Sequence, residues 1–265
     1  MSTATLTPDT SVRDAASPRG SAPSTWTLIA VELRKMTDTR AGRWLLLATG
    51  LVAAAAAVAQ GLTGDVANRT FVDAVQITML PLGVLLPIIG ILAATGEWSQ
   101  RTAVTTFALV PRRGRVLAGK VGAVLVLGAG GFVVALLAAA VATVVGSAAA
   151  ELTDPWRIDG GALAQALLFL GLSVVWGLAF GLLLVQPGLA IVGFFVLPTI
   201  FTVVGQLASG LKDALEWIDP NVALAPLSDA TTSGADWGRI ATASILWIAV
   251  PLALGIRRNL RREVK

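Results

Sequence analysis

An all-helical integral membrane protein with six transmembrane helices is the fold this sequence predicts, on three observations. Hydrophobic residues make up 55% of the 265-residue chain and charged residues only 14%, whereas soluble domains carry roughly 25% charged residues. The mean hydropathy is +0.77, too high for a surface that meets water on every side. Six stretches, 44–62, 74–95, 121–148, 161–185, 189–207 and 240–256, are each close to the about 20 apolar residues that a helix needs to cross a bilayer.

Residues 1–23 are rich in Ser, Thr, Ala and Pro and hold no apolar run. They read as a disordered tail with no signal peptide, which needs an apolar h-region. Residues 24–43 read as an amphipathic interfacial helix. Trp26, Ile29, Leu33 and Met36 form one apolar stripe, with Glu32, Arg34 and Lys35 off it. Such a helix lies in the membrane plane, so Trp26, Arg34, Lys35 and Arg40 are the expected contacts to lipid headgroups.

The six spans follow, forming a membrane domain over 44–256 that ends in a basic tail, 257–265. Pro81, Pro87 and Pro198 fall inside spans and read as kinks or broken turns. Gly177 and Gly181 are spaced G-x-x-x-G, which permits close helix approach and serves either internal packing or a dimer seam. Gln186, Pro187 and Gly188 alone join the fourth and fifth spans, a tight-turn signal. In the 208–237 loop, Leu211, Ala214, Leu215 and Ile218 recur at helical spacing. They predict a short surface helix ended by Pro220.

Orientation follows from the cations in the connections. Fourteen Lys and Arg flank the spans on one side, including Arg34, Lys35, Arg101, Arg112, Arg113, Lys120 and Arg257; four lie on the other. Both termini are therefore expected in the cytoplasm.

Chemistry is narrowly bounded. The chain has no Cys and no His, which excludes thiolate chemistry and removes the commonest general base and metal ligand. The span centres contain no ionisable residue, which disfavours a proton-coupled transporter. No catalytic or metal-binding residue is expected, so the chain reads as a non-enzyme.

The segment GEWSQRTAVTTFALVPRRGRVLAGK, residues 96–120, interrupts two spans. Its Gly114 to Lys120 match G-x-x-x-x-G-K, but Val121 replaces the hydroxyl that a phosphate-binding loop places on Mg²⁺, and no strand precedes it. An ATP site is rejected there, and Lys120 reads as the inner-face anchor of the third span. Gly96 can break the second span. Glu97 and Arg101 are spaced i, i+4, Val104, Phe107 and Ala108 share one face, and Pro111 ends the run. This predicts a short amphipathic helix at the interface. It reads either as a basic loop that only sets topology or as a docking element for a cytoplasmic partner.

These features resemble the permease subunits of bacterial type-two ATP-binding-cassette exporters. The matching residues are the segment VELRKMTDTRAGRW before the first span, then Glu97, Trp98 and Thr102 opening a coupling helix, then Pro111, Arg112 and Lys120 leading into the third span. The usual His-Gly after the Glu-Trp-Arg start is missing; Ser99, Gln100 and Arg101 stand in that region.

The resemblance implies a multi-pass subunit of the bacterial cytoplasmic membrane that forms half of a dimeric translocation unit. The second permease subunit is identical or related. A separate ATPase subunit binds below and carries the ATP and Mg, so this chain needs no cofactor. Glu97, Trp98, Arg101, Thr102, Phe107, Pro111, Arg112 and Arg113 are the implied partner-coupling residues. Membrane lipids are the other expected partner, and no nucleic acid is. The alternatives are a non-transporting membrane anchor or sensor, and an ATP-independent channel.

Overall fold

A computed structural model describes residues 23–99, 112–208, 210 and 212–261. Helices dominate, and no strand occurs among the described residues. The order is α1 (Thr25–Asp38), α2 (Arg40–Thr63), α3 (Phe71–Ser99), α4 (Arg113–Ala149), α5 (Gly160–Leu184), α6 (Pro187–Leu207), α7 (Lys212–Leu215), α8 (Pro220–Ser228), α9 (Asp236–Ser244) and α10 (Val250–Arg261). A π-helical stretch, Ile245–Ala249, joins α9 to α10. Helices α2 to α6 and the continuous 236–261 unit give six helices long and apolar enough to cross a membrane.

The first three spans and the last run further into polar sequence than the apolar runs predict, while the fourth keeps its predicted length at Gly160–Leu184. The third begins at Arg113 and the second ends at Ser99. A helix satisfies its backbone internally, so it continues past the apolar segment until a cap stops it. Thr39 is such a stop: its extended backbone separates α1 from α2, and its hydroxyl accepts from the Gly42 N–H at 3.0 Å. The predicted 24–43 segment is therefore two pieces, α1 and the first turn of α2. Gly96 does not break the second span, which stays helical through Glu97 and Trp98.

Helices α3 and α5 are the most enclosed spans and pack most extensively on each other; α2 and α6 are the most exposed. Gly177 and Gly181 decide this contact. A Cβ at Gly177 would meet the Pro87 carbonyl, and one at Gly181 would meet the Ile91 carbonyl at 2.9 Å. The G-x-x-x-G signal is thus internal packing against α3. Pro81 and Pro87 lie within one continuous helix, as Pro198 does in α6.

A second core gathers aromatics from α5, α6 and the π-helical stretch. Trp176 and Phe194 have ring centroids 4.6 Å apart, and Phe180 stacks on Trp247 at 6.2 Å. The π register has a local cause. A proline ring clashes with the carbonyl four residues back, which for Pro251 belongs to Trp247. Widening the turn relieves this, and the Val250 N–H donates to Ile245 five residues back.

The 208–237 loop holds the expected short helix ahead of Pro220, α7, which has no buried residue, and a second helix beyond it, α8, that the spacing did not predict. Pro220 opens α8 at its first turn, with Asp219 as the N-cap, as well as following the short α7. Ala223, Leu224 and Leu227 of α8 are buried in the aromatic core, so this second helix folds back onto the bundle.

Candidate functional site

The end of the bundle that carries α1 and the end of α10 concentrates the charge. Here Glu32 of α1, Glu97 of α3 and Lys120 of α4 are buried, with side chains 5%, 8% and 3% exposed. Lys35 closes the group at 43%. Its ammonium donates to Glu32 Oε1 at 2.7 Å and to Glu97 Oε1 at 3.0 Å. The Lys120 ammonium donates to Glu32 Oε2 at 2.6 Å and to the Ala93 carbonyl at 3.2 Å, and it lies 3.4 Å from Glu97 Oε1.

Each lysine thus bridges both carboxylates, giving a neutral ring of two cations and two anions that spans three helices. Burial alone pushes the Lys35 pKa down, but the hydrogen bonds and charges of Glu32 and Glu97 outweigh it and hold the value above the ordinary one. Burying an ion costs several kcal/mol unless its partners are in place, so the ring requires α1, α3 and α4 to meet in one register.

Local sequence explains how the helices deliver these groups. Ser24 caps α1 by accepting from the Thr27 N–H at 3.0 Å. Its buried face is Leu28, Glu32 and Met36, at i, i+4 and i+8. Leu28 sits over Gly119, and Ile29 over Gly122. One sequence expectation is corrected. The stripe that packs against the protein includes Glu32, and Trp26, an expected headgroup contact, is 70% exposed. Lys120 is a buried ion-pair partner, held by an acid from α1, and not an interfacial anchor. The G-x-x-x-x-G-K segment is helical throughout, and the lysine is occupied by Glu32.

A second clasp joins this end to α10. Asn259, 2% exposed, accepts from the Trp98 indole N–H at 2.9 Å and donates to the carbonyls of Leu182 and Gly255. Arg113 donates to the Asn259 carbonyl at 3.4 Å. The last carbonyls of a helix lack intrahelical partners; here Asn259 and Arg258 supply them for Leu182 and Leu183 of α5.

The expected coupling residues therefore divide. Glu97, Trp98 and Arg113 are tied into the bundle, and Arg112 is exposed. Arg101, Thr102, Phe107 and Pro111 lie outside the described residues. Of the expected headgroup contacts, Arg34 and Arg40 are exposed, and Lys35 belongs to the ring. Glu32 and Asn259 were missed. Glu32 carried a signal, being a charge four residues from both Leu28 and Met36; Asn259, inside a basic tail, carried none.

Among the described residues no group of His, Cys, Asp or Glu is placed to hold a metal ion. The two carboxylates and two ammonium groups are paired with one another and connect three helices. Together fold and site define an all-helical chain that fits a multi-pass membrane protein. No protein-family model and no curated protein matches it.

Proposed function

We propose that this chain is the permease subunit of an ATP-binding-cassette exporter in the bacterial cytoplasmic membrane. It pairs with a second permease subunit, and a separate cytoplasmic subunit hydrolyses ATP. The termini and the charge ring face the cytoplasm in this reading, in line with the cation excess there.

The observation that carries the reading is the ring of Glu32, Lys35, Glu97 and Lys120. It ties both helices flanking residues 100–112 to α1, while Trp98 and Arg113 tie the same flanks to α10. A force applied by a partner to the intervening segment then moves α3 and α4 as one block. Glu97 acts as a positioning residue. Phe107 and Arg112 are the partner contacts.

The test is purification of the full chain with an ATPase that has a complete nucleotide site. Phe107→Asp and Arg112→Glu are expected to release that ATPase while membrane insertion stays normal. Retention of the ATPase by both variants overturns the docking assignment.

A further inference from the structure

At the opposite end of the bundle a cavity of about 790 Å³ lies between α2, α3, α5, α6 and α8. Its volume is that of a site for a drug-sized ligand, and its two ends differ in chemistry. Phe169, Trp176 and Phe195 line the part toward mid-span, and Asp73 and Asp229 line the part near the start of α3 and the end of α8.

Neither carboxylate has an ion-pair partner, and no Lys or Arg lines the cavity, among the described residues. Asp73 Oδ2 accepts from the Thr70 hydroxyl at 2.6 Å and the Thr70 N–H at 3.3 Å, and Asp229 Oδ1 shares a 3.0 Å hydrogen bond with Ser228. Asp73 in this way closes a capping box at the start of α3, its own N–H donating to the Thr70 hydroxyl at 3.3 Å, and Asp229 stays exposed; each keeps acceptor capacity for a cation.

One deeper group is unsatisfied. The indole N–H of Trp176, a residue 6% exposed that lines the cavity beside the buried Ser173, has no hydrogen-bond partner among the described residues. Unpaired polar groups at membrane depth are costly, which is a reason to expect a ligand beside them. Gly83 fixes the wall: the Phe169 ring lies directly over it, where a Cβ would be 2.7 Å from the ring.

We infer that this cavity binds a cationic amphiphile, an apolar or aromatic body carrying a protonated amine. The body lies against Phe169 and Trp176, where a cation-bearing ligand also gains from aromatic faces, and the ammonium lies between Asp73 and Asp229. As the cargo of an exporter this rests on the function proposed above; as a binding site it does not, since no ATPase is needed to fill it.

The test uses the purified full chain in discs of zwitterionic lipid. Three brominated probes of equal chain length, an alkyl trimethylammonium, an alkyl sulfate and an alkyl maltoside, quench tryptophan on contact. Saturable quenching is expected, with the ammonium binding about tenfold tighter than the sulfate, the scale of two exposed charge pairs. Trp176→Phe should remove the largest quenched component.

Asp73→Asn with Asp229→Asn keeps acceptor oxygens for the local hydrogen bonds and should abolish most of the preference. Added salt should shrink the same preference in the unaltered chain, a readout that does not depend on the variant folding. Equal binding of all three probes, preference for the sulfate, or quenching that only follows partition into lipid overturns the inference. Selective binding by a chain that recruits no ATPase would uphold the site and overturn the exporter reading instead.

Discussion

Replacing Lys120 with Met tests the charge ring most sharply. The side chain keeps its length, but Glu32 and Glu97, 5% and 8% exposed, are left with Lys35 alone and a net buried negative charge. Removing one partner of a buried ion pair costs about 3–5 kcal/mol. For a unit of this size each kcal/mol moves the melting temperature by roughly 2–4 °C, so Lys120→Met should lower it by about 10 °C. The diagnostic result is the second substitution. Adding Glu32→Gln restores neutrality, with Lys35 still bonded to Glu97 at 3.0 Å, and should recover about 1–3 kcal/mol. Thermal unfolding in detergent, followed by tryptophan fluorescence, reads both steps. If Lys120→Met is as stable as the parent, or if Glu32→Gln adds its own full cost to the first, the ring is not a coupled unit.

Three further outcomes follow from the packing. Gly177→Ala forces a methyl onto the Pro87 carbonyl and Cα, backbone atoms that cannot swing away, and should cost about 2 kcal/mol. Gly171→Ala in the same helix meets nothing within 4 Å and should be neutral in the same melt. Asn259→Leu keeps the volume but removes the hydrogen bonds that Asn259 makes with the Trp98 indole and the Leu182 carbonyl, for an expected loss of about 1–3 kcal/mol. Stability should also depend on alkaline pH through Lys35. Its raised pKa means that its contribution is complete below the unfolded value of about 10.4 and is lost as pH rises through the folded one. The melting temperature should fall above that range, and Lys35→Met should flatten the fall.

Spans were legible because each one declares itself within about 20 contiguous residues, and all six appear as helices. Their ends were not. Gly96 and the charges after it look like an interruption, yet the helix continues because Glu97 finds partners on two other helices. Those partners lie at positions 35 and 120, and nothing periodic connects them to it. The same holds for Asn259, whose partners sit 77 and 161 positions away. Pro220 shows a third kind of gap: one proline both follows a short helix and opens another, and its place in the chain does not say which. Composition and period reveal what a segment is, while the ring and the cavity arise from what distant segments bring to one place.

Turnover of the associated ATPase, measured with and without this chain in lipid vesicles, tests the central claim most directly. The account predicts a severalfold change in turnover on assembly and its disappearance in Phe107→Asp, with the ATPase's own nucleotide site untouched. Identical turnover in the presence and absence of the chain would contradict it.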